Sequence, residues 1–253
     1  MGEQVTGLDA LSGVLAELIA LWNTHAVADE VRVDASIDAH TVIAVRALTA
    51  HAVECGRGVL ALVAVGHVVV AVPVVRTMIE DAVCAAWLAK TEDGWKGFIR
   101  EGADDRRKLM ADVVAVGDAA LGDAPFGEPA EVERRRMAEI LDQYDEYKRE
   151  RKFEHRARSA TGAGLVYMQY RMASNLSHAG TGIVDLYTAA QPGSATRVAW
   201  VDEPRNVSAE GWVTIAASSL LRAMRTWDQM IPERPLRDAL SRVADALGPR
   251  AVM

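Results

Sequence analysis

The chain has 253 residues, of which 50% are hydrophobic and 25% charged, with a mean hydropathy of +0.04. That balance excludes disordered, collagen-like and low-complexity classes and supplies enough apolar side chains for a core. A net charge of −7 argues against broad, sequence-blind binding to DNA, and Cys55 and Cys84 are too few for a disulfide framework or a cysteine-based zinc site.

Two cysteines in apolar surroundings suit a reducing compartment, so a cytoplasmic location is expected. Residues 1–9 carry two acids and no basic run, and read as no signal peptide. The nearest thing to a membrane span, Gly58–Val75, is interrupted by Gly66, His67 and Pro73, so buried core is preferred there.

Leu8, Leu11, Leu15, Leu18 and Trp22 recur at spacings of 3, 4, 3 and 4, one face of a helix capped by Thr6 and running to about Ala28. This seam is regular enough to pack lengthwise on a partner helix, including one from a second copy. Asp34 or Ser36 caps a second helix reaching about Val65, and Gly66 makes a turn. The third helix covers Val68–Lys90. Its valines also suit a buried strand, but the Ala-rich flanks and Met78–Lys90 favour helix, and Pro73 falls in the early turns, where a kink costs least. A fourth helix runs from Asp93 to about Leu121. Gly122–Pro129 is a loop, and a fifth helix starts near Pro129. Glu131–Arg158 holds eight acids and nine Lys or Arg, the pattern of a solvated face, and its end, Lys148–Arg158, has six bases and two acids. Ser159–Gly164 is a break. A sixth helix spans about Leu165–His178 and stops at Gly180 and Gly182. Gln191–Arg205 is a loop with room for a short hairpin. Ser208 caps a seventh helix, which breaks at Pro232, and a last helix runs from Pro235 to Gly248. The expectation is an all-α fold: one helical bundle of about seven or eight helices over 1–253, with 191–207 a long loop before the C-terminal helices.

No phosphate loop, dinucleotide fingerprint, zinc-protease helix, nucleophile elbow or nucleic-acid-binding signature is present, and no metal or cofactor is expected. What remains is a polar stripe on the sixth helix. Tyr167, Tyr170, Arg171, Ser174 and His178 share one broad face, with Asn175 beside them. On the third helix Arg76 and Glu80 stand four apart in apolar surroundings. Such a pair needs further hydrogen-bond partners, and the stripe can supply them, so a polar cluster between the two helices is expected. The stripe carries an acid/base group, a cation and hydroxyls. It equally suits a structural cluster, with His178 placed near a helix C-terminus where a cation complements the dipole. The tryptophans at 87, 95, 200, 212 and 227 read as core or interface anchors.

Arg-x-x-x-Glu after a glycine turn, followed by Tyr-x-x-x-Ser-x-x-x-His ending in glycine, resembles a bacterial helical family of unknown function over about Val53–Tyr187. The chain is also similar to the HEPN superfamily of helical ribonucleases, whose hallmark is an arginine, four to six residues, then a histidine. Arg171 and His178 have six between them, with Met172 where that family usually has a polar residue. Arg46–His51 and Arg149–His155 fit the same spacing. The resemblance implies metal-independent RNA cleavage in a toxin or phage-defence setting, by a homodimer, with Arg171 and His178 catalytic and Ser174 and Tyr170 assisting. Arg76, Glu80, Tyr167 and Asn175 are then candidate ligand-binding residues, and the basic 148–158 run would hold the RNA backbone. The alternative is a non-enzymatic binding or interaction protein built around the same cluster.

Overall fold

The structure is a computed structural model describing residues 6–25, 32–116, 130–148, 153–161, 164–190, 198–205 and 207–250. The Gly122–Pro129 loop, residues 149–152 of the basic run and Asn206 lie outside the described residues. The fold is all-α. Its helices are α1 (Leu8–His25), α2 (Ala39–Ala64), α3 (Val68–Lys90), α4 (Gly94–Val116), α5 (Ala130–Gln143), α6 (Phe153–Thr161), α7 (Gly164–Ser177), α8 (Thr181–Leu186), α9 (Ala209–Gln229) and α10 (Arg237–Leu247). Two short strands, β1 (Thr188–Ala190) and β2 (Val198–Trp200), pair antiparallel with Ala189 opposite Ala199; β2 lies inside the stretch expected as a loop and β1 just before it. The chain divides into two compact units, residues 91–155 and the remainder.

In the larger unit α3 is central, touching α2, α7 and α9. Every residue from Asp81 to Leu88 is buried, which explains the apolar run: a helix surrounded on all sides has no polar face to show. Pro73 is accommodated inside α3 near its start, so the valine run is helix and not strand. The seam of α1 packs inside this chain, against α9 and α2, and Leu15 and Leu18 are fully buried. It is therefore unavailable to a second copy, because its apolar area is already covered by α9 and α2. Trp22 meets Trp227 edge to face at 6.4 Å, and Arg46 lies over Trp227 at 6.0 Å. Trp87, Trp95, Trp212 and Trp227 are buried, whereas Trp200 on β2 is 83% exposed.

The helix ends follow local chemistry. Asp38, not Asp34 or Ser36, caps α2 by accepting from the His40 amide at 2.8 Å; Asp34 instead closes the preceding turn through the amide and hydroxyl of Ser36. At the other end His67 N donates to Leu62 O and Gly66 N to Val63 O, with Gly66 at φ +81, a Schellman stop that needs glycine. α1 opens at Leu8 behind Gly7 (φ +93), one residue beyond the expected Thr6 cap. Ser208 caps α9 from the Gly211 amide at 3.1 Å. By length and composition α2 is the one helix among the described residues that is apolar enough to cross a membrane; here it packs against α3 and α9.

In the smaller unit α4 packs on α5 and buries Trp95, Ala103, Met110 and Met137. The charge-dense α5 is not wholly a solvated face. Glu133 is buried and paired with Arg106 at 2.7 Å, and the buried Arg100 meets Asp145 at 3.0 Å. Pairing makes such burial tolerable.

Candidate functional site

The site forms where α7 crosses α3. Val166 and Ala173, seven residues apart, are buried on α7, and its polar stripe lies alongside. From α3, Arg76 reaches this stripe. Its Nη2 donates to the Tyr170 hydroxyl at 3.1 Å and to Glu80 Oε1 at 3.0 Å, and its Nη1 donates to His178 Nε2 at 2.9 Å. The guanidinium also lies over the Tyr170 ring, 5.2 Å from its centroid. Arg76 Nε is buried without a partner among the described residues. Burial works against the Arg76 charge, but Tyr170 and Glu80 outweigh it and hold the pKa above the ordinary arginine value.

This geometry fixes the chemistry of His178. Arginine has only donors, so in the 2.9 Å contact His178 Nε2 stands as the acceptor. Next to it opens a groove of about 400 Å³ lined by Tyr167, Tyr170, Arg171, Ser174, Asn175 and His178. Arg171 is exposed and makes no hydrogen bond or ion pair among the described residues. Tyr167 stacks on Tyr170 at 6.2 Å, and Arg158 lies over Tyr167 at 5.8 Å.

The expected cluster therefore forms from Arg76, Glu80, Tyr170 and His178. Arg171, Ser174, Asn175 and Tyr167 line the groove, while the hydrogen bonds of Arg76 go to Tyr170, Glu80 and His178. Arg76 is only 22% exposed and Glu80 36%, a partly open pair and not a sealed one. Arg156 is buried, over the Trp87 ring at 4.7 Å and beside Cys84 Sγ at 3.8 Å. Arg158 does reach the Tyr167 side of the groove, a role its sequence surroundings did not single out.

Gly180 and Thr181 also line the groove, and Gly182 follows them at the start of α8. A Cβ there would stand 2.8 Å from the Asn175 carbonyl oxygen, so α8 approaches the end of α7 as closely as it does only with glycine. That approach fixes the turn carrying His178.

Taken together these features define an all-α protein with an open polar groove along α7, lined by His178 and the exposed Arg171, beside an Arg76 held by Tyr170, Glu80 and His178. Residues 42–193, which include α3, α7 and the whole groove, match the model of a family of unknown function, DUF5677, and the chain belongs to that family. No curated protein and no solved structure matches the chain.

Proposed function

We propose that the groove binds the phosphodiester backbone of RNA and cleaves it without a metal ion, in the manner of the HEPN ribonucleases that the Arg171-to-His178 spacing resembles. The observation that carries this reading is His178, its Nε2 2.9 Å from Arg76, in the same open groove as the exposed Arg171. Arginines are suited to phosphate because they can donate in pairs to its oxygens.

In this reaction the incoming phosphate draws Arg76 off His178 and frees Nε2. His178 Nε2 takes the proton of the 2′-hydroxyl, the 2′-oxygen attacks phosphorus, and the P–O5′ bond breaks. The leaving 5′-oxygen takes a proton from water. Arg171 and Arg76 stabilise the added charge on the phosphoryl oxygens, and the Ser174 hydroxyl is placed to orient them. The Tyr167/Tyr170 stack offers a face for an unpaired base. A homodimer pairing two such grooves, a cytoplasmic location and a toxin or phage-defence setting belong to the same proposal.

One observation favours a second reading. Arg76 already binds Tyr170, Glu80 and His178 at once, and such a network also suits a non-enzymatic protein that holds a small anion or only specifies packing. The test is cleavage of a labelled RNA pool in EDTA by the protein and by His178→Ala. Cleavage lost in the variant, with its helical circular dichroism retained, supports the nuclease. No cleavage by the unaltered protein ends the nuclease reading in favour of the second.

A further inference from the structure

A second cluster sits on the other side of α3, on residues that the groove does not use. His51 and Cys55 stand one turn apart on a single face of α2, and Asp81 faces them from α3. One ligand atom from each of the three lies within 4.8 Å of the other two. His51 Nδ1 is 2.9 Å from Asp81 Oδ2, and His51 Nε2 is 3.9 Å from Cys55 Sγ.

The Asp81 side chain is only 8% exposed, yet its Oδ2 accepts no hydrogen bond among the described residues, although His51 Nδ1 is close to it. A buried carboxylate oxygen that lacks a well-aligned donor is costly. A cation seated among the three groups would compensate that oxygen directly.

We propose that His51, Cys55 and Asp81 form a binding site for a divalent transition metal of the zinc type, which ties α2 to α3. One imidazole nitrogen, one thiolate and one carboxylate are the donors such an ion takes. Tetrahedral bond lengths of about 2.0 to 2.3 Å place ligand atoms roughly 3.3 to 3.7 Å apart, so modest side-chain rotation closes the site. Three protein ligands leave a fourth position for water, and His51, 57% exposed, stands at the solvent side. As the metal–sulfur bond forms, the thiol proton of Cys55 leaves to solvent.

A rival reading makes the same residues a relay, with Cys55 the nucleophile, His51 its base and Asp81 the orienting carboxylate. The relay takes up no metal ion, so Co²⁺ uptake separates the two. The metal reading does not depend on RNA cleavage.

The test uses tag-free protein stripped with EDTA and then given Co²⁺. One Co²⁺ per chain is expected, with a thiolate-to-cobalt charge-transfer band in the near ultraviolet that Zn²⁺ abolishes. Cys84→Ala should keep the band and Cys55→Ser lose it. His51→Ala, with its helical circular dichroism checked, should weaken uptake at least tenfold. Absence of the band in the unaltered protein, or its survival in Cys55→Ser, would overturn the proposal.

Discussion

Replacing Arg76 by methionine separates a partly open polar network from a sealed ion pair. Methionine keeps most of the aliphatic stem and deletes the guanidinium. A helical i,i+4 ion pair contributes about 0.3 to 0.5 kcal/mol, a cation over an aromatic face at an accessible site about 0.5 to 1, and a hydrogen bond such as that to Tyr170 about 0.5 to 1.5. Arg76 is 22% exposed and Glu80 36%, so solvent replaces part of what is lost. The expected loss is therefore about 2 kcal/mol, below the 3 to 5 kcal/mol that follows breaking a fully buried pair. Urea unfolding followed by tryptophan fluorescence measures it, with Tyr170→Phe and the double variant completing a cycle. The coupling between Arg76 and Tyr170 should be about 1 kcal/mol. A loss above about 4 kcal/mol would mean the pair is sealed in solution, and zero coupling would mean that the contact with Tyr170 does not form. Either result defeats the geometry on which the site is built.

Other perturbations test other levels of the structure. Gly182→Ala drives a methyl group against the Asn175 carbonyl, 2.8 Å away, and should cost roughly 1 to 3 kcal/mol while shifting the NMR signals of His178; an unperturbed His178 would show that α8 does not position it. Trp227→Ala removes a fully buried ring from between Trp22 and Arg46 and should cost roughly 3 to 5 kcal/mol in chemical denaturation. Asp38 has its pKa held below the ordinary carboxylate value, first by the hydrogen bond from the His40 amide. A carboxyl with a depressed folded pKa stabilises above its unfolded value and loses that contribution as pH falls through the folded one. Its carboxyl NMR titration should therefore lie below that of an unstructured Asp, and Asp38→Asn, which still caps, should remove the pH dependence of the start of α2. A titration at the ordinary value would contradict the cap.

Much of the fold was legible because helix periodicity and end signals are local. The α1 seam, the Gly66 stop, the Ser208 cap and the extent of α3 all follow from residues within a turn or two of one another. The errors were local competitions between similar residues. Asp34, Ser36 and Asp38 are all good caps, and sequence does not say which one turns its oxygen toward the free amides of α2. The cluster of Arg76, Glu80, Tyr170 and His178 was partly legible, because an i,i+4 ion pair in an apolar helix demands partners and one polar stripe was on offer.

Pattern along the chain determined that this protein is helical, where most helices begin and end, and which residues needed polar company. Packing decided the rest, because it depends on which helix faces meet. It covered the α1 seam with α9 and α2, put Arg156 under Trp87 and so took it out of the basic run, and stacked Arg158 on Tyr167. It also brought Asp81 of α3 to His51 and Cys55 of α2, three residues that no spacing rule connects. His51 and Cys55 signal only a shared helix face. The third donor comes from another helix, and only the contact between α2 and α3 selects it.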